Sequence, residues 1–242
     1  MTLNNEIRKR VLQANLDLLD LGLVCLTWGN ASAVDRQRGV MWIKPSGIEY
    51  NSMSADQIVE VDLNTGEHLG NLKPSSDTAT HLSLYKHFPD IGGIVHTHSS
   101  MATSWAQACL EIPYAQANAD IPCLGTTHAD HFNGSVPLTR RLHPEEIKDR
   151  YEHHTGQLII ERFKGIDPLH FPGVLVAEHG PFTWGKTIQD AVTHAVILEE
   201  IAKMAYQTQL LGKHEPIQKS LLEKHFQRKH GPQAYYGQNN NT

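Results

Sequence analysis

Apolar residues recur at helical spacing near the start of the chain, where Ile7, Val11, Leu12 and Leu16 predict an amphipathic helix over residues 5–21. The pattern then shortens. Val40–Ile43, Ile58–Leu63, Ile91–Val95 and Val174–Val176 are brief apolar runs of strand length, separated by turn residues such as Lys44-Pro45-Ser46-Gly47 and Asn64-Thr65-Gly66. Helical periodicity returns at Asp77–Phe88, Ser99–Cys109, Pro144–Phe163, Thr187–Leu211 and Ile217–Lys229. Pro144 followed by Glu145 and Glu146 reads as a helix start, because a first turn does not use the N–H that proline lacks and carboxylates suit its positive end. Strands alternating with helices predict one α/β domain in which helices cover a sheet, and no linker divides residues 1–242.

Composition narrows the partners more than the fold. A chain of 242 residues buries a sufficient core without disulfides or a structural metal. Its net charge of -5 argues against nucleic acid or an anionic membrane as partner. No apolar run approaches the roughly 20 residues of a membrane span, and the polar-interrupted N-terminal helix does not read as a signal peptide. Three cysteines, Cys25, Cys109 and Cys123, without CxxC spacing, fit small buried thiols in a reducing cytoplasm. The tail Gln238–Thr242 is polar and expected to fray. A local repeat also stands out: Trp105-Ala-Gln-Ala-Cys-Leu-Glu-Ile-Pro113 is followed directly by Tyr114-Ala-Gln-Ala-Asn-Ala-Asp-Ile-Pro122, which reads as a short tandem duplication lengthening a loop.

The count that changes the picture is 16 histidines. In Ile94-Val95-His96-Thr97-His98 two of them lie two residues apart, a strand spacing that turns both imidazoles to one side. A second strand-like run, Gly173-Val-Leu-Val-Ala-Glu-His179-Gly-Pro181, ends in another histidine before a turn. Three imidazoles at strand ends make a facial site with positions open to substrate, the arrangement of catalytic rather than structural zinc, though other divalent transition metals also suit them. Glu178 competes with His179 as a ligand, but adjacent strand residues point oppositely, which favours His179. His68, His153, His154 and His214 sit in polar stretches and read as solvated surface.

Two serine-bearing turns offer a phosphate cradle. Lys73-Pro74-Ser75-Ser76-Asp77-Thr78 precedes a predicted helix, where the side chains of Ser75, Ser76 and Asp77 either cap free N–H groups or surround an anion at the helix start; Asp77 could also reach a metal. Lys44-Pro45-Ser46-Gly47 adds a hydroxyl, a cation and a glycine that lets backbone approach an anion. Gly125-Thr-Thr-His-Ala-Asp130 and Ala234-Tyr235-Tyr236-Gly237 supply a carboxylate and a phenol that spacing alone does not pair.

Taken together, LTWGNAS, IKPSG, KPSSDT, GGIVHTHS, GTTHAD, HGPFTWG and KHFQRKHG…AYYGQ resemble the bacterial L-ribulose-5-phosphate 4-epimerases of the class II aldolase/epimerase superfamily, from about Val11 to Gln238. The resemblance implies a three-layer α/β/α domain with a central, largely antiparallel sheet, assembled as a homotetramer. It implies Zn2+ on His96, His98 and His179 with Asp77 close by, where related ketose-phosphate aldolases tend to carry Glu. Phosphate binding would fall on Ser46, Gly47, Ser75 and Ser76, with Asn30 and Lys44 lining the same pocket. Asp130 and Tyr236 would be an acid/base pair reaching a neighbouring subunit's site, supported by Thr126, Glu152, His225 and Arg228. The substrate implied is a small phosphorylated ketopentose. Two departures lie near Asp130: HADHFNG stands where the family commonly has HADYFYG, and the tandem duplication stands where it has a short connection. The rival readings are a ketose-phosphate aldolase and a non-catalytic scaffold on the same fold, against which the retained histidines and Asp77 speak.

Overall fold

The computed structural model of the protein describes residues 3–108 and 120–235. Six strands form one sheet: β1 (Asn30–Asp35), β2 (Val40–Ile43), β3 (Val59–Asp62), β4 (Gly93–His96), β5 (Gly173–Val176) and β6 (Gly180–Gly185). Their order is β3-β2-β1-β4-β6-β5, and every neighbouring pair is antiparallel. The helices are α1 (Leu3–Asp20), α2 (Thr78–His87), α3 (Ser100–Ala108), α4 (Thr126–Ala129), α5 (Pro144–Lys148), α6 (Tyr151–Arg162), α7 (Ile188–Leu210) and α8 (Lys219–His230). No helix among the described residues is long and apolar enough to cross a membrane.

Strand alternation divides the interior into layers. Trp42 of β2 and Val95 of β4 face Ile7, Val11, Ala14 and Leu18 of α1 and Ile188, Ala191 and Val192 of α7. Their sequence neighbours Met41, Ile43 and Ile94 face the opposite way, toward Leu84 and Tyr85 of α2 and Leu158 and Ile159 of α6. A third cluster joins α3, the far part of α7, Phe132 and Leu175. The result is the expected three-layer α/β/α arrangement. Burying each large aliphatic side chain of α1 contributes roughly 1.5–3 kcal/mol, which holds this helix on the sheet despite the polar residues between. A side chain at Gly93 would place its Cβ 2.3 Å from Ile188 Cα, so glycine is what lets α7 settle directly on β4.

Several expectations need correction. Asn30–Asp35 and Gly180–Gly185 are strands that the hydrophobic pattern did not predict. The first is Asn-Ala-Ser-Ala, whose polar residues are buried rather than solvent-facing; the second is punctuated by glycine and proline. The helix expected over Pro144–Phe163 is two helices, broken where Arg150 adopts φ 47°. Gly125–Asp130, to which no element was assigned from the sequence, contains the short α4. His153 and His154 are half-buried on α6 rather than solvated, whereas His68 and His214 are exposed. The end of the tandem duplication is more than loop: Ile121 is fully buried and pairs with Val136, and Asp120 accepts hydrogen bonds from Arg162 (2.8 Å) and the amide of Leu138 (2.7 Å). Of the thiols expected to be buried, Cys123 is and Cys25 is exposed, since it lies in the turn after α1; Cys109, most of the second repeat, Tyr236 and the tail Gln238–Thr242 lie outside the described residues.

Candidate metal centre and active site

The site forms where β1 and β4 end side by side. In their register Asn30 faces His96 and Ser32 faces Ile94, so Asn30, Ser32 and His96 emerge on the face covered by α2. Gly29, at φ 73°, allows the preceding turn to pass against β4; a Cβ there would lie 2.8 Å from the His96 carbonyl oxygen. His96 is buried and stacks on Phe182, its register partner on β6, with ring centroids 4.2 Å apart. Its Nδ1–H donates to the Pro181 carbonyl oxygen at 2.9 Å, since a carbonyl can only accept. In the neutral ring that bond leaves Nε2 with the lone pair, and Nε2 of His98 lies 3.1 Å away.

His98 lies beyond the end of β4, in the turn leading into α3. That turn is fixed from α7, where the Glu199 carboxylate accepts hydrogen bonds from the Met101 and Ala102 amides at 2.8 and 2.9 Å. His179 sits in the β5–β6 turn. Glu178 takes φ 62° there and turns outward to Arg141, at 3.1 Å, so a left-handed turn rather than strand alternation separates the two residues. The turns meet closely: a Cβ on Gly180 would approach the Thr97 carbonyl oxygen to 2.9 Å. The three histidines thereby converge, with one nitrogen from each within 4.8 Å of the others.

Asp77 begins α2 but makes no side-chain capping bond; its Oδ2 accepts from Asn30 Nδ2 at 2.7 Å. Burial opposes its charge, but His96, His81 and His179, together with the Asn30 amide, outweigh burial and hold the carboxyl below its ordinary value. Burial and the neighbouring His96 lower the basicity of His98 and His179, against the opposing pull of Asp77. Imidazoles facing one another beside a carboxylate are the donor set a divalent transition metal takes. The close approach of two imidazole Nε2 atoms, one already fixed as a lone-pair bearer, fits a shared cation.

Next to this cluster the two serine turns pair. The Ser46 amide donates to the Lys73 carbonyl and the Ser75 amide to the Lys44 carbonyl, both at 2.9 Å, and Pro45 bridges Pro74. Lys44 is 2% exposed; its Nζ donates to the Thr27 and Pro45 carbonyls at 3.3 and 3.4 Å and lies 4.9 Å from the Tyr50 ring centroid. Burial lowers its pKa. Asn30, Lys44, Ser46, Gly47, Ser75, Ser76, Asp77, His96, His98 and His179 all line one cavity of 460 Å³. Glu152 lines it too, on the same chain as the histidines. Thr27 and Trp28, which belong to the LTWGNAS motif but were given no role from the sequence, and Tyr151, which no sequence feature singled out, also line the wall.

Asp130 lies elsewhere. Its Oδ1 accepts from His225 Nδ1 and Arg228 Nε, each at 3.0 Å, and its Oδ2 from Arg228 Nη2 at 2.7 Å, which ties α4 to α8. Thr126 opens α4 and its carbonyl accepts the Asp130 amide hydrogen. Burial works against the charge of Asp130, but Arg228, His225 and Lys229 prevail and keep its carboxyl below the usual range. None of these five residues lines the 460 Å³ cavity of the same chain.

The sequence profile of the class II aldolase and adducin N-terminal domain matches residues 9–206. The chain belongs to that family. Within it, an L-ribulose-5-phosphate 4-epimerase of Salmonella paratyphi C is 51% identical over 234 residues, covering 96% of this chain and 99% of the relative. The same figures hold for the corresponding epimerase of Salmonella choleraesuis. Among solved class II aldolase structures, an L-fuculose 1-phosphate aldolase superposes with a TM-score of 0.75 at 21% identity, covering 92% of this chain and 95% of that one. A sugar-phosphate aldolase from Thermotoga maritima gives 0.65 at 20% identity, over 87% and 97% of the two chains. The two structural likenesses establish the fold of the family in this chain.

Proposed function

We propose that the chain is a metal-dependent epimerase that interconverts L-ribulose 5-phosphate and D-xylulose 5-phosphate, with zinc on His96, His98 and His179 beside Asp77. The observation that carries this reading is a three-histidine cluster and a two-serine cradle with a buried lysine in one cavity. Identity of 51% along nearly the whole chain to L-ribulose-5-phosphate 4-epimerases supports the substrate.

The chemistry explains the pairing of the two features. The inverted centre is the fourth carbon, whose C–H is not adjacent to the ketone and is too weakly acidic for direct proton abstraction. Inversion therefore breaks the bond between the third and fourth carbons and re-forms it on the aldehyde's other face. When bound, a divalent cation supplies Lewis-acid stabilisation of the negative charge that develops on the three-carbon fragment. Ser46, Gly47, Ser75, Ser76 and Lys44 hold the phosphate, so the two-carbon aldehyde rotates in place instead of leaving. Asn30 fixes the Asp77 carboxylate and Ser75 together, because its amide nitrogen bonds both. One proton leaves the fourth-carbon hydroxyl on cleavage, and one returns to the new alkoxide from the opposite side. Asp130 and Tyr236 take these two roles, reaching the site from a neighbouring subunit of a cyclic homotetramer, with Thr126, His225 and Arg228 positioning Asp130 and Glu152 on the receiving side. The aspartate at position 77, where aldolases tend to carry glutamate, favours epimerisation over release of fragments.

Ser75→Ala tests the cradle. Its Oγ accepts from Asn30 at 3.0 Å and from the Asp77 amide only at 3.4 Å, so it is weakly engaged as a cap. Losing a bond to a phosphate is expected to cost roughly 1.5–3 kcal/mol in kcat/KM, about tenfold or more, for L-ribulose 5-phosphate. Turnover of unphosphorylated L-ribulose, metal content and Tm should stay near wild type. A lowered Tm with unchanged kcat/KM would make Ser75 a helix cap instead.

A further inference from the structure

The three histidines are not held alike. Nδ1 of His96 is bonded to backbone of the sheet, at Pro181. His98, exposed, has the Trp28 ring 6.3 Å from its own. His179 sits on a strained turn and has its Nδ1 3.2 Å from a side-chain hydroxyl, that of Tyr151, whose ring lies 6.0 Å from the imidazole.

Tyr151 reaches this place because the chain breaks its helix. The hydrophobic pattern runs continuously from Pro144 to Phe163, yet Arg150 adopts φ 47°, a conformation costing a non-glycine residue roughly 1–2 kcal/mol. Such strain persists only where the surroundings enforce it, and it gathers at functional sites. Here it starts α6 afresh at Tyr151 and brings both Tyr151 and Glu152 into the cavity wall. Two bonds then lock the new helix start: Thr155 Oγ1 donates to the Tyr151 carbonyl at 3.0 Å, and Thr80 Oγ1 donates to the Glu152 carbonyl at 2.6 Å. Thr80 belongs to α2, whose first residue follows Asp77, so the Tyr151 and Asp77 walls are braced against each other.

We propose that Tyr151 is the positioning residue for His179, its phenol oxygen accepting the Nδ1–H and so fixing the tautomer that turns Nε2 toward the other two histidines. Partners of this kind on the far nitrogen of a ligating imidazole set ring orientation and ligand basicity.

This inference rests on the metal-site reading, and its test separates the two. Wild type and Tyr151→Phe, purified as full-length oligomers, are loaded with Co2+ for visible absorption and with Zn2+ for competition against a chelator. Tyr151→Phe keeps the ring and loses only the hydroxyl. Its Zn2+ affinity is expected to fall about 10- to 100-fold, with a changed Co2+ spectrum and an unchanged Tm. Thr80→Val removes the bond to the Glu152 carbonyl that braces α6 against α2, leaves the Tyr151 hydroxyl and His179 in place, and should bind both metals like wild type. Zn2+ affinity and Co2+ spectrum of Tyr151→Phe equal to wild type would overturn the assignment, as would an equal loss in Thr80→Val. Wild-type protein that binds neither metal would instead overturn the metal reading itself.

Discussion

Alanine at His96, His98 or His179 is expected to remove the bound metal and lower kcat/KM by roughly a thousandfold or more, about 4 kcal/mol of transition-state stabilisation. The three variants should agree in activity and differ in stability. His98 is exposed and, among the described residues, hydrogen-bonds to His96, so His98→Ala should fold and assemble at the Tm of metal-free wild type. His96 is 2% exposed, stacked on Phe182 and bonded to Pro181, so His96→Ala should also lose roughly 1–3 kcal/mol of stability. Metal content measured on the purified variants, beside kcat/KM and Tm, reads all three effects. Full activity in metal-free protein would remove the histidine cluster from the chemistry.

The second large effect concerns Asp130. In its own chain this carboxylate belongs to the α4–α8 junction, away from the residues lining the histidine cavity. If it serves a neighbour's cavity, Asp130→Asn and His96→Ala are each inactive for different reasons. Unfolded together and co-assembled in equal amounts, they should yield intact His96 and intact Asp130 at about a quarter of sites in a closed ring, and recover about that share of activity. Separately assembled variants mixed without exchange should stay inactive. No recovery in mixed oligomers confirmed by mass would place Asp130 outside the neighbour's site. A stability readout accompanies this one. Arg228 and His225 hold the Asp130 carboxyl below its unfolded value, so its ion pairs stabilise the fold above the unfolded carboxyl pKa. That contribution is lost as pH falls through the lower folded value, so the Tm gap between wild type and Asp130→Asn should close in acid.

What the sequence made legible follows from where each residue's signal comes from. Helices with one apolar face, such as α1 and α7, declare themselves by period because their polar residues face water. β1 does not, because Asn30 and Ser32 are buried polar groups: the Asn30 amide donates to Ser75 and Asp77 just before α2, and Ser32 Oγ lies 2.7 Å from His81 Nδ1 and 2.8 Å from the Tyr85 hydroxyl of α2. A strand that carries a site on one face loses the alternation that marks ordinary strands. His96 and His98 were visible as a pair through their spacing alone, and His179 through its place at a strand end. Tyr151 was invisible for the opposite reason. It lies inside an unbroken helical pattern, and only the left-handed turn at Arg150 turns it into the cavity. The pairing of the two serine turns through Pro45 and Pro74 likewise depends on contacts between residues some thirty positions apart, which no local pattern records.

The most direct test of the central claim is to follow the products of L-ribulose 5-phosphate with the purified protein before chelation, after it, and after restoring Zn2+. The native protein is expected to form D-xylulose 5-phosphate while releasing little glycolaldehyde phosphate or dihydroxyacetone, to stop on chelation, and to resume with Zn2+. Stoichiometric release of the two fragments would make the chain an aldolase, and D-xylulose 5-phosphate formed at full rate by the chelated protein would contradict a metal-dependent epimerase.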